Sequence, residues 1–337
     1  MTEIGYSRMR DLGCLPDLLK SLAGKEGVNR VFRDQGLPIG LLGTPDVAVP
    51  MRDLVALYQR AAEITGVRSF GLQATKDFDP EQHGLAGRYI MQGRDLPGAL
   101  ERFRTALPYH ESGSSLEIEA KGNELRIGYR NVYQDIVGWR HFGDYKLCVI
   151  ANVISGYLGD GWRPLRIETC NAKGPWEQDH EDFFAAPVHC REDRTAIVLE
   201  RETVRTNGQA RVIEPRQMVS LGDLRRLGET LPRDLPAVVA NIVERRLTSG
   251  AADLDGTAAT LGLGSRTLQR RLGEHGLSYR DLVLRQRMRR AHELLAEPEL
   301  TVRQVGREVG YSSTPQFTRA FKTHFKATPQ EFRESTF

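Results

Sequence analysis

The stretch Ala258-Ala259-Thr260-Leu261-Gly262-Leu263-Gly264-Ser265-Arg266-Thr267-Leu268-Gln269-Arg270-Arg271-Leu272 decides how this chain is read. A short apolar segment, a glycine turn and a basic segment follow one another. The order returns in Val305-Gly306-Arg307-Glu308-Val309-Gly310-Tyr311, continued by Phe317-Thr318-Arg319-Ala320-Phe321-Lys322. A helix set at a fixed angle on a short turn fits the major groove of DNA. Two such units imply one chain that reads two successive groove segments.

Local signals agree around both. Leu268 and Leu272 lie four apart and point inward, leaving Arg266, Gln269 and Arg270 on the opposite side. Gly276 suits a left-handed helix end. Ser278 caps a long helix predicted over Tyr279–Ala296, which Pro298 prevents from continuing. Thr301-Val302-Arg303-Gln304 fits a capping box, and Thr328-Pro329-Gln330-Glu331 another with proline at the first helical position. Phe317, Phe321 and Phe325 form one aromatic inner stripe.

On these residues the stretch from the helix near Pro236 to Arg333 resembles the AraC/XylS family of bacterial transcription regulators. The strongest carriers are Leu261-Gly262, Arg266–Leu272, Val309-Gly310-Tyr311, Phe317–Lys322 and Thr328-Pro329 with Phe332-Arg333. The chain departs from the pattern in places. Gly264 stands where the family usually caps with serine, with Ser265 available to take over by a shift of one residue. Gly306 replaces a usual alanine and Lys326 a usual glycine. Pro315 must sit in the first turn of its helix, where a missing donor is tolerated.

The resemblance implies base reading by Arg266, Gln269 and Arg270 in the first motif. In the second it implies Gln316, Thr318 and Arg319, with Thr314 beside them. Arginine pairs bidentately with guanine and glutamine with adenine, each worth roughly 1–3 kcal/mol of discrimination. Arg271, Lys322 and the run Arg285-Gln286-Arg287-Met288-Arg289-Arg290 suit phosphates or acidic neighbours. For any one of these arginines an ordinary solvated helix face is the alternative.

A chain of 337 residues accommodates two domains. Its 47 Lys and Arg against 44 Asp and Glu leave a net charge of +3. From Asp234 onward sixteen basic residues meet twelve acidic ones, so that part carries +4 and the remainder −1. The basic excess falls where phosphate binding needs it. The start Met1-Thr2-Glu3-Ile4-Gly5-Tyr6 lacks a basic and then apolar leader. No apolar run of about eighteen residues is present to span a membrane. The sequence thus predicts a cytoplasmic protein. Cys14, Cys148, Cys170 and Cys190 form no CxxC pair and are expected as free thiols.

The first two hundred residues read differently. Helical spacing covers Leu12–Leu22, Met51–Ile64 and Leu96–Leu107, the last introduced by Gly93-Arg94-Asp95 and ended by Pro108. Leu116–Ala120 and Leu125–Tyr129 then alternate as strands around Lys121-Gly122-Asn123-Glu124, a hairpin signal. A mostly apolar helix over Gly143–Leu158 follows, with Asp144 and Lys146 near its start. Arg166–Cys170 and Ala196–Glu200 read as strands, with a helix near Glu177–Phe184 between them. Met218–Arg233 is expected to be helical after a turn at Asn207-Gly208. The predicted fold class is an α+β sensor domain with a small mixed sheet. An all-α domain of two helix–turn–helix motifs joined by a long helix follows it. The boundaries expected are 1–205, a linker with a helix over 206–235, and 236–337.

Thr65-Gly66-Val67-Arg68-Ser69-Phe70-Gly71-Leu72, Gly84-Leu85-Ala86-Gly87 and Leu96-x-x-Ala99-Leu100 are similar to the N-terminal domain of one AraC/XylS subgroup. That domain is labelled arabinose-binding-like but lacks the cupin pattern, and the subgroup includes regulators of ornithine and other amine catabolism. The resemblance implies small-molecule sensing and dimerisation. Tyr129, Tyr133, Asp135, Trp139, Trp162, Glu168 and Trp176, with Tyr145, concentrate aromatics and carboxylates in one stretch. Aromatic walls and a carboxylate suit a small cation, so an amine or amino acid is the favoured effector. The alternative is that the tryptophans are core or interface anchors and the acids are solvated. His180, His189 and Cys190 match no standard metal spacing, and no cofactor is expected.

The sequence therefore predicts a non-enzymatic, ligand-responsive activator that binds promoter DNA, forms a homodimer and contacts RNA polymerase. Two alternatives stay open. One is a constitutive architectural DNA-binding protein without an effector. The other is an alkylation-repair enzyme, for which four scattered cysteines are a poor match.

Overall fold

The computed structural model describes residues 5–37, 39–75, 78–159, 161–206, 218–232, 235–248, 252–261, 263–297 and 299–336. The chain divides into two units, Met1–Gln35 with Ile39–Leu231, and Gly36–Pro38 with Pro232–Phe337. The expected turn at Asn207-Gly208, and Gly262 and Pro298, lie outside the described residues.

In the first unit β1 (Tyr6–Arg8), α1 (Leu15–Asp34), β2 (Ala48–Pro50) and α2 (Met51–Thr65) lead, with β1 and β2 paired antiparallel. Then come α3 (Phe70–Gln73), α4 (Leu85–Ile90) and α5 (Leu96–His110). The period then changes to two. The strands β3 (Ser114–Lys121) and β4 (Glu124–Asn131) form the expected hairpin, with Lys121 paired to Glu124. After α6 (Trp139–Leu158) follow β5 (Arg166–Thr169), α7 (Glu177–Phe184), β6 (Val188–Cys190), β7 (Thr195–Glu200), α8 (Arg201–Thr206) and α9 (Leu221–Glu229). The sheet order is β3-β4-β7-β5-β6, with only β5 and β6 parallel. This is the α+β unit with a mixed sheet that the sequence predicts. The central β7 is buried from Thr195 to Leu199, reading as a continuous apolar run rather than an alternation.

Three expectations need correction. The helix expected over Leu12–Leu22 runs on to Asp34, broken at Gly24, where φ is 69°. The helix expected from Gly143 already starts at Trp139. Pro108 does not end α5, which continues to His110, and the Glu111 amide closes the turn on the Leu107 carbonyl at 2.9 Å. Buried partners of His110 and Glu111, described below, hold that last turn against the cost of the missing donor.

Within the stretch expected as a linker, α9 opens with a full capping box between Ser220 and Asp223. It packs on α5 and α4 of the first unit. Leu224 is fully buried there, and Gly228 permits the approach, since a Cβ would come within 2.8 Å of the Tyr109 ring. Arg8 fastens the same helix. Its buried guanidinium donates to the carbonyls of Leu227 (2.7 Å), Tyr109 (3.2 Å) and Asp46 (2.6 Å), and to Thr230 Oγ1 (3.0 Å). Burial lowers its pKa to about 10, so it keeps its charge at the carbonyl end of α9, where a cation is favoured.

The second unit is helical: α10 (Leu235–Thr248), α11 (Leu254–Thr260), α12 (Ser265–Glu274), α13 (Tyr279–Leu295), α14 (Val302–Glu308), α15 (Thr314–Phe325) and α16 (Pro329–Thr336). The two helix–turn–helix motifs are α11–α12 and α14–α15, joined by the long α13, as the sequence predicts. Caps fall on Ser278 and Thr301, and Thr328 exchanges bonds with Glu331. Leu268 and Leu272 are fully buried under the first motif. Met288, Leu295, Val305, Phe317 and Phe321 form the core of the second, with Phe325 packed at its edge.

Replacing Arg8 with Met removes several charge-assisted bonds, each worth roughly 1.5–3 kcal/mol. Amide exchange within Leu221–Glu229 is expected to rise at least about tenfold while that of β7 holds. Unchanged protection would show that Leu224 and Gly228 suffice to dock the helix.

Candidate functional site

Among the described residues, exposed basic side chains stand on helices of the second unit and buried polar groups in the first. In the second unit, Arg266, Gln269 and Arg270 are exposed on α12, and Arg271 is half-buried. Glycine caps this helix without a side-chain bond, and Ser265 lies inside the first turn, bonded to Asp255. The cap therefore does not shift to Ser265. Arg270 pairs along the helix with Glu274. On α15, Gln316, Arg319 and Lys322 are exposed, and Thr314 and Thr318 half-buried. Pro315 falls in the first turn, as required, and Ser312 Oγ donates to Gln316 Oε1 at 3.0 Å. In the connecting helix, Arg289 meets Glu244, Arg290 meets Glu293 at 3.2 Å, and Arg287 stacks on Tyr311 at 5.4 Å. Those three thus have neighbours within their own unit.

The seven residues singled out in the first unit are not gathered into one site. Tyr129 and Trp139 are buried and stacked, with ring centres 6.2 Å apart. Tyr133 is buried and its hydroxyl accepts from the Gly5 amide, while Asp135 is exposed. Trp162 donates to Ser155 Oγ at 2.7 Å. Trp176 packs edge-on against His180 at 4.8 Å. Glu168 is buried and spoken for by Arg126 (2.5 Å) and Arg166 (2.9 Å). These two arginines also reach Asp193 and Glu124, in a network across neighbouring strands.

What residue-by-residue reading missed is a buried charge cluster. Lys146 Nζ on α6 lies 2.7 Å from Asp11 Oδ2 and 2.6 Å from Glu111 Oε2. Both carboxylates are fully buried beside an ammonium 6% exposed. Around them, His110 Nε2 is 2.8 Å and His83 Nδ1 3.2 Å from Asp11 Oδ1. The Tyr145 hydroxyl donates to the same oxygen at 3.2 Å, and the Tyr129 hydroxyl to Glu111 Oε1 at 2.6 Å. Burial disfavours the Asp11 charge, but Lys146 and His110 outweigh it and hold the carboxyl well below its usual range. Burial likewise opposes the Lys146 charge, and the two carboxylates reverse it and raise the ammonium above its usual value. The one sequence signal was Lys146 itself, a lysine inside an otherwise apolar helix, which requires a buried partner.

A small, partly enclosed cavity of about 30 Å³ opens beside this cluster. Its walls are mainly apolar, with His83, His110, Tyr129 and Lys146 among the lining residues. Asp11, His83 and His110 are the only described trio with ligand atoms close enough, within 4.8 Å, to hold a metal ion. The Lys146 ammonium already supplies the positive charge at Asp11, so the arrangement favours an ion-paired core over a metal. Cys148 is buried and the other cysteines half-buried, all with free thiols. No helix among the described residues is long and apolar enough to cross a membrane.

Burial lowers the His83 pKa to about 4, with Asp11 only partly opposing the shift. A histidine held neutral in the fold stabilises fully above its unfolded value of about 6.5 and loses that contribution as pH falls toward 4. Stability of the first unit is expected to fall over that window, by up to about 1.4 kcal/mol per pH unit for this proton. In His83→Gln, thermal unfolding at stepped pH should show a shallower fall. An unchanged slope would assign the acid sensitivity to other groups.

Comparison with known proteins adds the family. The arabinose-binding domain of AraC transcription regulators, N-terminal, matches residues 27–207, more than half of the chain, and a helix-turn-helix domain matches 257–335. The regulator VirS of Mycobacterium tuberculosis is 35% identical over 105 residues, 31% of each chain, so the match spans about a third of that relative's length. The regulator VqsM of Pseudomonas aeruginosa is 26% identical over 189 residues, 54% of this chain and 57% of the relative. A solved structure of the regulator CdpR from Pseudomonas aeruginosa is 18% identical, aligned over 90% of this chain and 97% of its own, with a TM-score of 0.40. The chain belongs to the AraC family of transcription regulators, non-enzymatic DNA-binding proteins with, here, an arabinose-binding-like domain ahead of the helix-turn-helix domain.

Proposed function

We propose that this chain is a ligand-responsive, sequence-specific activator of a catabolic operon, acting as a homodimer on paired promoter half-sites. The observation that carries the reading is the pair of helices α12 and α15. Each keeps its apolar side in a core and leaves arginine and glutamine in solvent at the positions the family uses for bases. Arg266, Gln269 and Arg270 read one groove segment, and Gln316, Thr318 and Arg319, with Thr314, read the next. Arg271 and Lys322 hold phosphates and set the register. The first unit supplies the effector site and the dimer contact, and effector binding either repositions the two DNA-binding domains or makes the dimer competent to engage RNA polymerase. An effector acts only by binding one state better than another. The family resemblance points to an amine or amino acid. The buried carboxylates beside the cavity are already ion-paired, however, and an amine would find no free counter-ion there.

The test is binding to a site selected from random duplex DNA, compared with a scrambled duplex. Arg266→Ala and Arg270→Ala are each expected to cost about 1–3 kcal/mol on the selected site and to relax discrimination there. Equal losses on both duplexes would remove the base-reading role. Lys322→Ala should weaken both alike and lower the salt slope by about one ion. Similar wild-type affinity for both duplexes would favour an architectural protein instead.

A further inference from the structure

The mixed sheet of the first unit ends on one side in a long strand with a single neighbour. Strand β3 pairs with β4 over all eight of its residues and lies at the end of the order β3-β4-β7-β5-β6. The strand at the opposite edge, β6, has only three. The phase of the ladder tells which groups of β3 face outward. Lys121 and Glu124 close a two-residue turn, and the Val132 amide donates to the Gly113 carbonyl at 3.0 Å. Bonding alternates along an antiparallel pair, so the odd-numbered residues of β3 bond to β4. The amides and carbonyls of Leu116, Ile118 and Ala120 point to the open side, where no described strand pairs with them.

Open edges are normally blunted by proline, a bulge, a covering element or charged side chains. β3 has no proline, and its register with β4 is unbroken. Leu116 is buried, but Glu119, Ala120 and Lys121 are exposed, so the outer half of the strand is accessible. Its charges bar most partners and match one, the same strand reversed. An antiparallel copy centred on Glu119 sets Glu117 of each chain opposite Lys121 of the other. Ile118 and Ala120 then exchange backbone bonds on both sides of the axis. The two Glu119 carboxylates that meet on the axis each keep Arg194 at 2.9 Å and Arg126 at 3.6 Å. A copy centred on Ile118 instead would set Glu117 opposite Glu119 twice, which like charges disfavour.

We propose that the open edge of β3 is the homodimer contact: two copies pair through β3, antiparallel about a two-fold axis at Glu119, and join their five-stranded sheets into one. Main-chain bonds supply the affinity and the side-chain charges the register. The inference rests on the reading of the chain as a homodimeric regulator and names the surface of that contact.

The experiment is sedimentation velocity of the full chain over a concentration series, with amide exchange read along β3. The wild type is expected to dimerise, and exchange at Ile118 and Ala120 to slow in step with the dimer fraction. Ala120→Pro removes an outward N–H and leaves the bonds to β4 in place. It takes two bonds from each dimer and should raise the dissociation constant at least about tenfold, with the circular dichroism of the monomer unchanged. Lys121→Glu should also weaken the dimer, more at low salt than at high. Should Ala120→Pro not fold, wild-type exchange at Ile118 and Ala120 decides alone. Exchange there that ignores concentration, or a dimer that persists in Ala120→Pro, overturns the edge contact and leaves dimerisation standing on another surface. A wild type that stays monomeric overturns it as well. Discrimination by that monomer between the selected and scrambled duplexes would keep the regulator reading, and its absence would remove both.

Discussion

The first unit is organised by one buried positive charge. Taking an ammonium out of water costs several kcal/mol, and only close, well-aligned counter-charges offset it. Lys146 finds them on two segments distant in sequence, Asp11 after the first strand and Glu111 just past the end of α5. Neither carboxylate can be lost cheaply, because its removal leaves the buried ammonium with a single counter-charge. Several features follow from this one requirement. Helix α5 is carried past Pro108 so that His110 and Glu111 reach the cluster. The hydroxyls of Tyr129 and Tyr145 turn inward to the remaining carboxylate oxygens, and burial with those neighbours raises both phenols well above their usual range.

That arrangement explains which parts of the chain could be read in advance. The second unit is built from signals a few residues long. Ser278, Thr301 and Thr328 cap their own helices, and Leu268, Leu272, Phe317 and Phe321 repeat at helical spacing, so local reading reaches nearly the whole unit. The cluster has no local signature. Lys146 is 135 residues from Asp11, and Glu111 becomes its partner only once α5 and α6 have packed. Selecting effector residues by type within one stretch favoured aromatics and acids that the fold uses as core and ion-pair members. Trp139 stacks on Tyr129, Trp176 covers His180, and Glu168 binds two arginines. Only the isolated lysine in α6 hinted otherwise.

The departures from the family pattern in the second unit have local physical reasons. At Gly306 a Cβ would approach the Phe317 ring to 3.0 Å, so glycine lets α14 sit close on α15. Lys326 ends α15 in the left-handed region at φ 64°, which costs a non-glycine residue roughly 1–2 kcal/mol. Its ammonium donates to the Thr323 carbonyl at 3.1 Å, one of the carbonyls a helix end leaves unpaired. Gly264 supplies extended backbone before α12 without a side-chain acceptor, and capping glycine costs only a few tenths of a kcal/mol relative to serine. None of these changes touches the exposed arginines and glutamines.

Arg8 and Asp11 lie three residues apart and act in opposite directions from one short segment. Arg8 holds the carbonyl end of α9, and Asp11 anchors the charge cluster beside the cavity. Two of the three helices that line the cavity, α4 and α5, are also the helices on which α9 docks, the third being α6. Helix α9 is the last helix of the first unit before the chain enters the second. Closely packed interiors transmit small displacements rather than absorb them. Coupling still requires two arrangements of α9 with different ligand affinities, because a ligand that binds both equally shifts nothing. The Arg8 guanidinium bonds Leu227, Thr230, Tyr109 and Asp46 at once, so one buried side chain ties α9 both to α5 and to the segment before β2.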